Sequence, residues 1–158
     1  MSAAMKDCIS ISSRLMQQIE QYCIAHLPYE ACGLLLGTEA KPQTEMPLFV
    51  RRFVGIPNTA ANPRRHFVMD PSVFIPYLFV PNPSHESIIG IFHSHPSAPP
   101  VPSVEDLQTS WIDVPSHWIV SIQNADQPEW QAYRYEKLHP NESGSLTRFK
   151  PLRLITTT

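Results

Sequence analysis

Cysteine is scarce in this sequence and occurs in none of the spacings that bind zinc through thiolates. Cys8, Cys23 and Cys32 are odd in number and include no C-x-x-C pair, so neither a disulfide framework nor a cysteine zinc knuckle is supported. No stretch approaches the roughly 18 consecutive apolar residues of a membrane span. The residues after Lys6 turn polar where a signal peptide would be apolar. We therefore expect a soluble, cytoplasmic protein in a reducing compartment.

Positive charge is not in excess either. Lys and Arg number 12 against 14 Asp and Glu, a formal net charge of −2 over 158 residues, which does not fit a strongly basic nucleic-acid binder. With 42% hydrophobic and 16% charged residues, the chain fills one core but not two. We expect one domain over residues 1–158, with a core from about 10 to 136 and a C-terminal extension over 137–158.

Proline, by contrast, is abundant, with 17 residues, and it interrupts both helices and central strands. Apolar residues from Leu15 to His26 recur at helical spacing and predict a first helix, which Ser12 or Ser13 caps and Pro28 ends. Six strands are predicted, at 31–37, 48–56, 67–69, 87–93, 117–122 and 130–135. An edge strand is expected at 146–154, followed by three loose threonines. Further helices are predicted to begin at Pro71 and Ser103. This alternation predicts an α/β layered domain in which helices flank a mixed, curved β-sheet.

The residues that carry chemistry cluster at the end of the strand 87–93. Side chains two apart on a strand point to the same face, roughly 6–7 Å apart along the chain, so His93 and His95 can converge on one metal ion. A catalytic zinc site takes a third protein ligand, often a carboxylate, and keeps one position open for water. Asp106 is the candidate, because four prolines stiffen the intervening loop and the start of a helix favours its charge.

Simpler interpretations stand beside this one. Ser103 and Asp106 alone fit a variant of the helix capping box, and the loop prolines alone fit a P-x-x-P ligand for a partner protein. A single histidine is usually structural or solvated. That interpretation covers His26, His66, His85, His117 and His139.

The combined pattern is much more specific than its parts. The string from His93 to Asp106 reads H-x-H-P-x6-S-x-x-D, for which the expected number of chance matches is on the order of 10⁻⁴. Together with Tyr29 to Gly37 (YEACGLLLG), it closely resembles the JAMM (MPN-type, JAB domain) zinc metallopeptidases. The resemblance extends from the first helix to about Tyr135 and implies the JAB/MPN fold, which is layered like that of the deaminases.

The resemblance also implies a role for each matched residue. His93, His95 and Asp106 would bind one zinc ion per chain, with water in the fourth position. Glu30 would be the general base, and Ser103 would help to stabilise a tetrahedral oxyanion. All five residues are intact, so the chain lacks the lesions of the family's inactive scaffold members.

The implied reaction is hydrolysis of a peptide or isopeptide bond at the Gly-Gly-type tail of a ubiquitin-like or sulfur-carrier β-grasp protein. The chain has little room for the two insertions of the eukaryotic deubiquitinating members, so a compact prokaryotic stand-alone enzyme is expected, with a preference for a sulfur carrier. The loop 58–66 is the candidate for ordering the substrate, and its tail could add to a sheet edge. The alternative is a non-catalytic MPN-type scaffold. A nucleoside deaminase would need H-x-E and P-C-x-x-C, which are absent.

The sequence leaves several properties open. A homodimer is possible, and a partner protein could complete the substrate groove. The physiological substrate and the role of residues 137–158 do not follow from any motif.

Overall fold

The computed structural model describes residues 7–38, 48–79, 86–138 and 147–158, which contain seven strands, two α-helices and one 3₁₀ turn. In chain order the elements are β1 (Cys8–Ser12), α1 (Ser13–Ala25), β2 (Cys32–Thr38), β3 (Leu48–Ile56), α2 (Pro71–Phe79), β4 (Ser87–His95), the 3₁₀ turn (Asp106–Gln108), β5 (His117–Ser121), β6 (Glu129–Lys137) and β7 (Thr147–Thr157). His85 and His139 lie outside the described residues. The proposed extent of the domain, residues 1–158, stays a prediction.

The strands form one mixed sheet, in the order β1-β3-β2-β4-β5-β6-β7, that closes into a barrel because β7 pairs with β1. Three neighbouring pairs are parallel, namely β1 with β3, β1 with β7, and β4 with β5, and the others are antiparallel. The predicted α/β class with a mixed, curved sheet and flanking helices is confirmed. The closure is an additional feature, and it gives each described strand a neighbour on both sides.

The strand predicted at 146–154 is observed as β7, but its expected position at the edge of the sheet and the loose end after it were wrong. β7 is not an edge strand, because it pairs with β6 on one side and with β1 on the other, and Thr156 and Thr157 belong to it. The reason is that β1 was missed: its signal is only two alternating isoleucines, Ile9 and Ile11, both of which are fully buried. Without β1, the sequence offered no partner for the second edge of β7.

Helix α1 follows the predicted pattern. The Ser12 hydroxyl caps it by accepting a hydrogen bond of 3.1 Å from the Leu15 amide. Leu15, Ile19 and Cys23 form its buried stripe and join the main core inside the sheet. Full burial of one such aliphatic side chain contributes about 1.5–3 kcal/mol, so this stripe fixes the helix against the barrel.

β2 and β4 lie side by side in the middle of the sheet and carry the site at one end. They are buried over almost their whole length, which agrees with apolar residues at both odd and even positions. Gly33 lies opposite Phe92, and a Cβ atom there would collide with the Val54 carbonyl oxygen and the Phe92 ring. A residue with a side chain would therefore push these strands apart close to the site.

Two predicted elements are shorter than expected. The strand 67–69 is a single bridge between Asn58 and Met69. The helix predicted from Ser103 to residue 112 is only the 3₁₀ turn. Leu107 and Trp111 would share one helix face, but Leu107 packs on a cluster with Ile119 whereas Trp111 packs on a different cluster. Tertiary packing therefore overrides the helical propensity.

Helix α2 begins as predicted, with Asp70 as its cap: the Asp70 carboxylate accepts hydrogen bonds from the amide and the hydroxyl of Ser72. It continues past Pro76 to Phe79. Neither described helix combines the length and apolar character that crossing a membrane would require.

Candidate metal centre

The end of β4 presents two imidazole rings on one face of the sheet. His93 and His95 are 3% and 5% exposed, and their Nε2 atoms lie 3.1 Å apart. The intervening Ser94 and the preceding Phe92 point to the other face, where Phe92 belongs to the main core. The strand alternation that predicted convergence of the two rings is therefore observed.

Asp106 joins the two histidines from a different element. Its Oδ2 atom lies 3.1 Å from His93 Nε2 and 3.2 Å from His95 Nε2. Burial opposes ionisation of this carboxyl group, but the charges and hydrogen bonds of the two histidines, together with the Ser103 amide, outweigh it and hold its pKa below the ordinary value. The structure thus brings together the three residues that the sequence pattern selected.

Asp106 is held by Ser103 through two reciprocal hydrogen bonds. The Ser103 amide donates to Asp106 Oδ2 at 2.9 Å, and the Asp106 amide donates to the Ser103 hydroxyl at 3.1 Å. This is the capping geometry that the sequence offered as a simpler interpretation. It coexists with the cluster, because the same carboxylate oxygen that accepts from Ser103 also faces both imidazoles.

The three donor atoms fit one small metal ion. Their separations of 3.1, 3.1 and 3.2 Å are close to the roughly 3.3 Å edge of a tetrahedron whose ligands lie about 2.0–2.1 Å from zinc. His95 Nδ1 donates to the Pro99 carbonyl oxygen at 2.8 Å, which leaves the Nε2 lone pair free to bind a metal. Two imidazoles and one carboxylate form a donor set that suits zinc.

The loop between His95 and Asp106 is held by hydrogen bonds from side chains to its backbone carbonyl oxygens. Three consecutive carbonyl oxygens accept hydrogen bonds: that of Ala98 from Ser121, that of Pro99 from His95, and that of Pro100 from Tyr133. The prolines and these bonds together restrict the loop. A rigid connection therefore explains the prolines better than a P-x-x-P ligand, whose backbone would have to be accessible.

Glu30 lies beside the three donors, just before β2. It is 5% exposed and lines the same cleft as His95 and Ser103. Burial raises the pKa of its carboxyl group to about 8; the nearby His95 opposes this shift, and Asp106 and Glu105 add to it. Within the described part of the chain, Glu30 Oε1 is buried without a hydrogen-bond partner. Burial therefore favours the protonated form of this carboxyl group.

The cleft has two adjoining parts with different character. One part, of about 280 Å³, is polar and contains Glu30, Arg64 and Arg65. The other, of about 340 Å³, contains Asp106 and apolar side chains that include Phe74. His66 and Glu105 line both parts. His66, which the sequence alone classed as structural or solvated, thus lies at the cleft.

Several residues that support the site carry no local sequence pattern. Phe67 stacks on His93 with ring centroids 4.5 Å apart, and Ser94 and Asn58 hold the backbone next to Glu30. Phe67 belongs to a loop whose two ends are joined by the bridge between Asn58 and Met69. The only available signal was the cluster of turn residues 57–63, which predicts a loop but not its contacts.

The fold and the cleft define a JAB-domain protein, and comparison with known families agrees. The family described as prokaryotic homologs of the JAB domain matches residues 12–136. The chain belongs to this family, and the resemblance found in the sequence is confirmed.

Three curated relatives share part of their length with this chain. Two are desampylases, from Haloferax volcanii (33% identical over 86 residues, 53% of this chain and 57% of the relative) and Pyrococcus furiosus (29% over 103 residues, 64% and 65%). The third is a probable TtuB-protein conjugate cleaving protease from Thermus thermophilus (26% over 101 residues, 64% and 62%). The chain therefore spans between 57% and 65% of the length of these relatives.

Solved structures match over nearly the whole chain. A Desulfitobacterium hafniense protein has a TM-score of 0.75 and 25% identity, with 94% of this chain and 92% of the other covered. A Salinibacter ruber protein has a TM-score of 0.62 and 22% identity, with 94% and 91% covered; this likeness concerns the fold alone.

Proposed function

We propose that this protein is a zinc metallopeptidase that hydrolyses a peptide or isopeptide bond after the Gly-Gly-type tail of a ubiquitin-like or sulfur-carrier β-grasp protein. The observation that carries the proposal is the approach of His93, His95 and Asp106 to within 3.1–3.2 Å of one another, in a cleft that Glu30 also lines. The names of the relatives, two desampylases and a conjugate-cleaving protease, support the same reaction class.

His93, His95 and Asp106 would hold the ion. Zinc bound there would act as a Lewis acid, which activates water at neutral pH and polarises a carbonyl group. The Asp106 carboxylate would offset part of the charge of the ion, and its hydrogen bond from the Ser103 amide keeps Oδ2 in place. His95 is kept in one tautomer by Pro99.

Glu30 is the proposed proton carrier. Its carboxylate takes one proton from the attacking water and delivers it to the nitrogen of the leaving amine as the C–N bond breaks. The water oxygen stays on the carbonyl carbon and its second proton passes to the amine or to solvent, so the products are a carboxylate and a protonated or neutral amine. Transfers of this kind contribute roughly 10²–10⁴-fold to the rate. Burial raises the pKa of this carboxyl group to about 8, which favours the protonated form that donates to the amine, and the charge of a bound ion would favour the ionised form that accepts from the water.

Ser103 is the proposed donor to the developing oxyanion. Its oxygen accepts a hydrogen bond from the Asp106 amide, and a hydroxyl group can accept and donate at once. The hydroxyl proton is thus available for the substrate. Removal of one such donor typically costs 10²–10³-fold in kcat.

The closed barrel changes the expectation of how a tail binds. Addition along a whole sheet edge is disfavoured, because each described strand is paired on both sides over at least part of its length, although β1 pairs with only Leu48–Val50 of β3. The cleft is lined by residues of two loops, Arg64 and Arg65 from one and Pro96 and Ser97 from the other. We propose that the tail runs between these loops, and the confined space next to Glu30 favours small residues such as glycine before the cut.

The test is cleavage of a defined fusion by the purified full chain. The substrate is a β-grasp protein whose Gly-Gly tail is joined to a reporter protein, and mass spectrometry identifies the products. Cleavage after the second glycine that stops with a metal chelator and returns with zinc is expected. A zinc-loaded protein that leaves every such fusion intact would support the non-catalytic scaffold instead, and cleavage that persists in the chelator would remove the metal mechanism.

A further inference from the structure

Asn58, at the end of β3, uses every hydrogen-bonding position of its side chain. Its Oδ1 atom accepts from the amides of Ala60 and Val68, both at 3.0 Å. Its Nδ2 group donates to the carbonyl oxygens of His66 at 2.9 Å and Glu30 at 3.0 Å. An asparagine side chain has two donors and two acceptor sites, so this half-buried residue is fully satisfied.

The four bonds have two different destinations. Three of them connect residues inside the loop that leaves β3 and returns at Met69. The fourth leaves the loop and reaches Glu30. A second link runs between the same two segments, because the Glu30 amide donates to the Pro63 carbonyl oxygen at 2.7 Å. Both backbone polar groups of Glu30 are therefore held by this one loop.

Glu30 needs such external support. It precedes β2, which begins at Cys32, so no ladder of strand hydrogen bonds fixes its backbone dihedral angles. Its Oε1 atom has no hydrogen-bond partner among the residues described, so this atom does not orient the side chain either. The direction of the carboxyl group thus depends on how the backbone of residue 30 is held.

We propose that Asn58 is a positioning residue for the reaction: its amide group, by holding the Glu30 carbonyl, aims the Glu30 carboxyl group into the cleft. This inference rests on the proposed function, in which Glu30 moves the proton. The competing interpretation is that Asn58 only closes its loop. The two interpretations differ in which of its four bonds matters for turnover.

The variant Asn58→Asp separates them. It has nearly the same shape and keeps an acceptor for Ala60 and Val68, but it replaces the donor to the Glu30 and His66 carbonyl oxygens with an oxygen, so it loses the link to Glu30 and one bond inside the loop. Thr59→Val is the matched control, because the Thr59 hydroxyl donates to the Val68 carbonyl at 3.2 Å and so ties the same loop without touching Glu30. Asn58→Ala removes the acceptor for Ala60 and Val68 as well as the donor, so it serves as the reference for loss of loop closure and of the link to Glu30 together.

Steady-state kinetics on the Gly-Gly fusion give the first readout. We expect Asn58→Asp to lower kcat at least tenfold with KM within about twofold and zinc content unchanged, whereas Thr59→Val stays within twofold of the parent. A tenfold loss in both variants would assign Asn58 to loop closure alone. Unchanged kcat in the Asn58 variant would overturn the proposal.

Amide hydrogen exchange gives a second readout that needs no activity. We expect the Glu30 amide to exchange at least tenfold faster in Asn58→Asp, while the Val68 amide, whose acceptor remains, keeps its rate. Equal acceleration at both amides would mean that the loop has opened, and an unchanged Glu30 amide would mean that Asn58 does not hold residue 30. This readout also distinguishes failure of the proposed function from failure of the inference about Asn58. A parent protein that cleaves no fusion would contradict the proposed function, but the exchange rates would still show whether Asn58 holds the backbone of Glu30.

Discussion

Ser94 and Ala31 are joined by two hydrogen bonds that connect the start of β2 to the end of β4. The Ala31 amide donates to the Ser94 hydroxyl at 2.8 Å, and the Ser94 amide donates to the Ala31 carbonyl oxygen at 2.9 Å. Ser94 is fully buried and lies between the two histidines in sequence, but on the opposite face of the strand. It therefore supports the segment of Glu30 but faces away from the donor atoms of His93, His95 and Asp106.

The first prediction concerns this pair. Ser94→Ala leaves the buried Ala31 amide without its acceptor, which typically costs about 1–3 kcal/mol, and lets the segment of Glu30 shift. We expect urea denaturation to show that loss of stability, with zinc content unchanged and kcat reduced. Ser72→Ala, which removes an exposed hydroxyl group on α2, is the control and should change stability by less than about 0.5 kcal/mol. Loss of zinc in Ser94→Ala would contradict the separation of the two faces.

The second prediction distinguishes two roles of Ser103. Ser103→Ala removes the hydroxyl group but keeps the backbone bond to the Asp106 carboxylate. If the hydroxyl group is an oxyanion donor, kcat falls by about 10²–10³-fold while zinc content and KM change little. Full activity would assign Ser103 to capping alone, and loss of zinc would show that its hydroxyl group mainly holds Asp106.

The third prediction tests the close approach of β2 and β4. Gly33→Ala places a methyl group against the Val54 carbonyl oxygen and the Phe92 ring, and overpacking of this kind costs about 1–3 kcal/mol. Thermal denaturation should therefore show a lower midpoint. Because Cys32 pairs with His93 next to this glycine, zinc affinity should fall as well. An unchanged midpoint would mean that the strands have room that the structure does not show.

The fourth prediction concerns stability in acid. His117 stacks on Tyr135 with ring centroids 3.9 Å apart, and its Nε2 atom is buried without a partner among the described residues. Burial, reinforced by the charge of His93, lowers the pKa of His117 to about 3. In the unfolded chain His117 has an ordinary pKa of about 6.5. Between about pH 6.5 and pH 3 it is therefore protonated in the unfolded chain but not in the folded protein. The contribution of neutral His117 to the free energy of unfolding is therefore fully present above about pH 6.5. It decreases as the pH falls from there towards 3, by up to about 1.4 kcal/mol per pH unit.

His117→Phe should remove this loss, since phenylalanine does not titrate. The free energy of unfolding of the variant minus that of the parent should therefore increase as the pH is lowered from 7.5 to 5.0. Tyr135→Phe removes a neighbouring buried hydroxyl group and serves as the control, with the same offset from the parent at both pH values. A difference for His117→Phe that does not depend on pH would contradict the lowered pKa.

The sequence predicted those parts of the molecule that depend on local spacing. Two histidines at strand spacing, with an aspartate after a proline-rich loop at the start of an expected helix, selected the three candidate donors, although the spacing alone did not place Asp106 near the histidines. The Ser12 cap followed from the same local logic. The resemblance selected Glu30 and Ser103, and both line the cleft.

The parts that the sequence did not predict depend on contacts between distant residues. The Ser94 hydroxyl serves a backbone amide 63 residues away, and the Asn58 amide serves a carbonyl 28 residues away, so neither role leaves a local pattern. Closure of the barrel needs β1, which has only two buried isoleucines as a signal. The helix expected after Ser103 failed for the same reason, because Leu107 and Trp111 pack in separate clusters.

The most direct test of the metal centre is the zinc content of three purified proteins, measured by elemental mass spectrometry under identical conditions. We predict about one zinc ion per chain in the parent and in Glu30→Gln, which lacks turnover, and almost none in His95→Ala. Full zinc in His95→Ala would contradict the assignment of His93, His95 and Asp106 as the ligands.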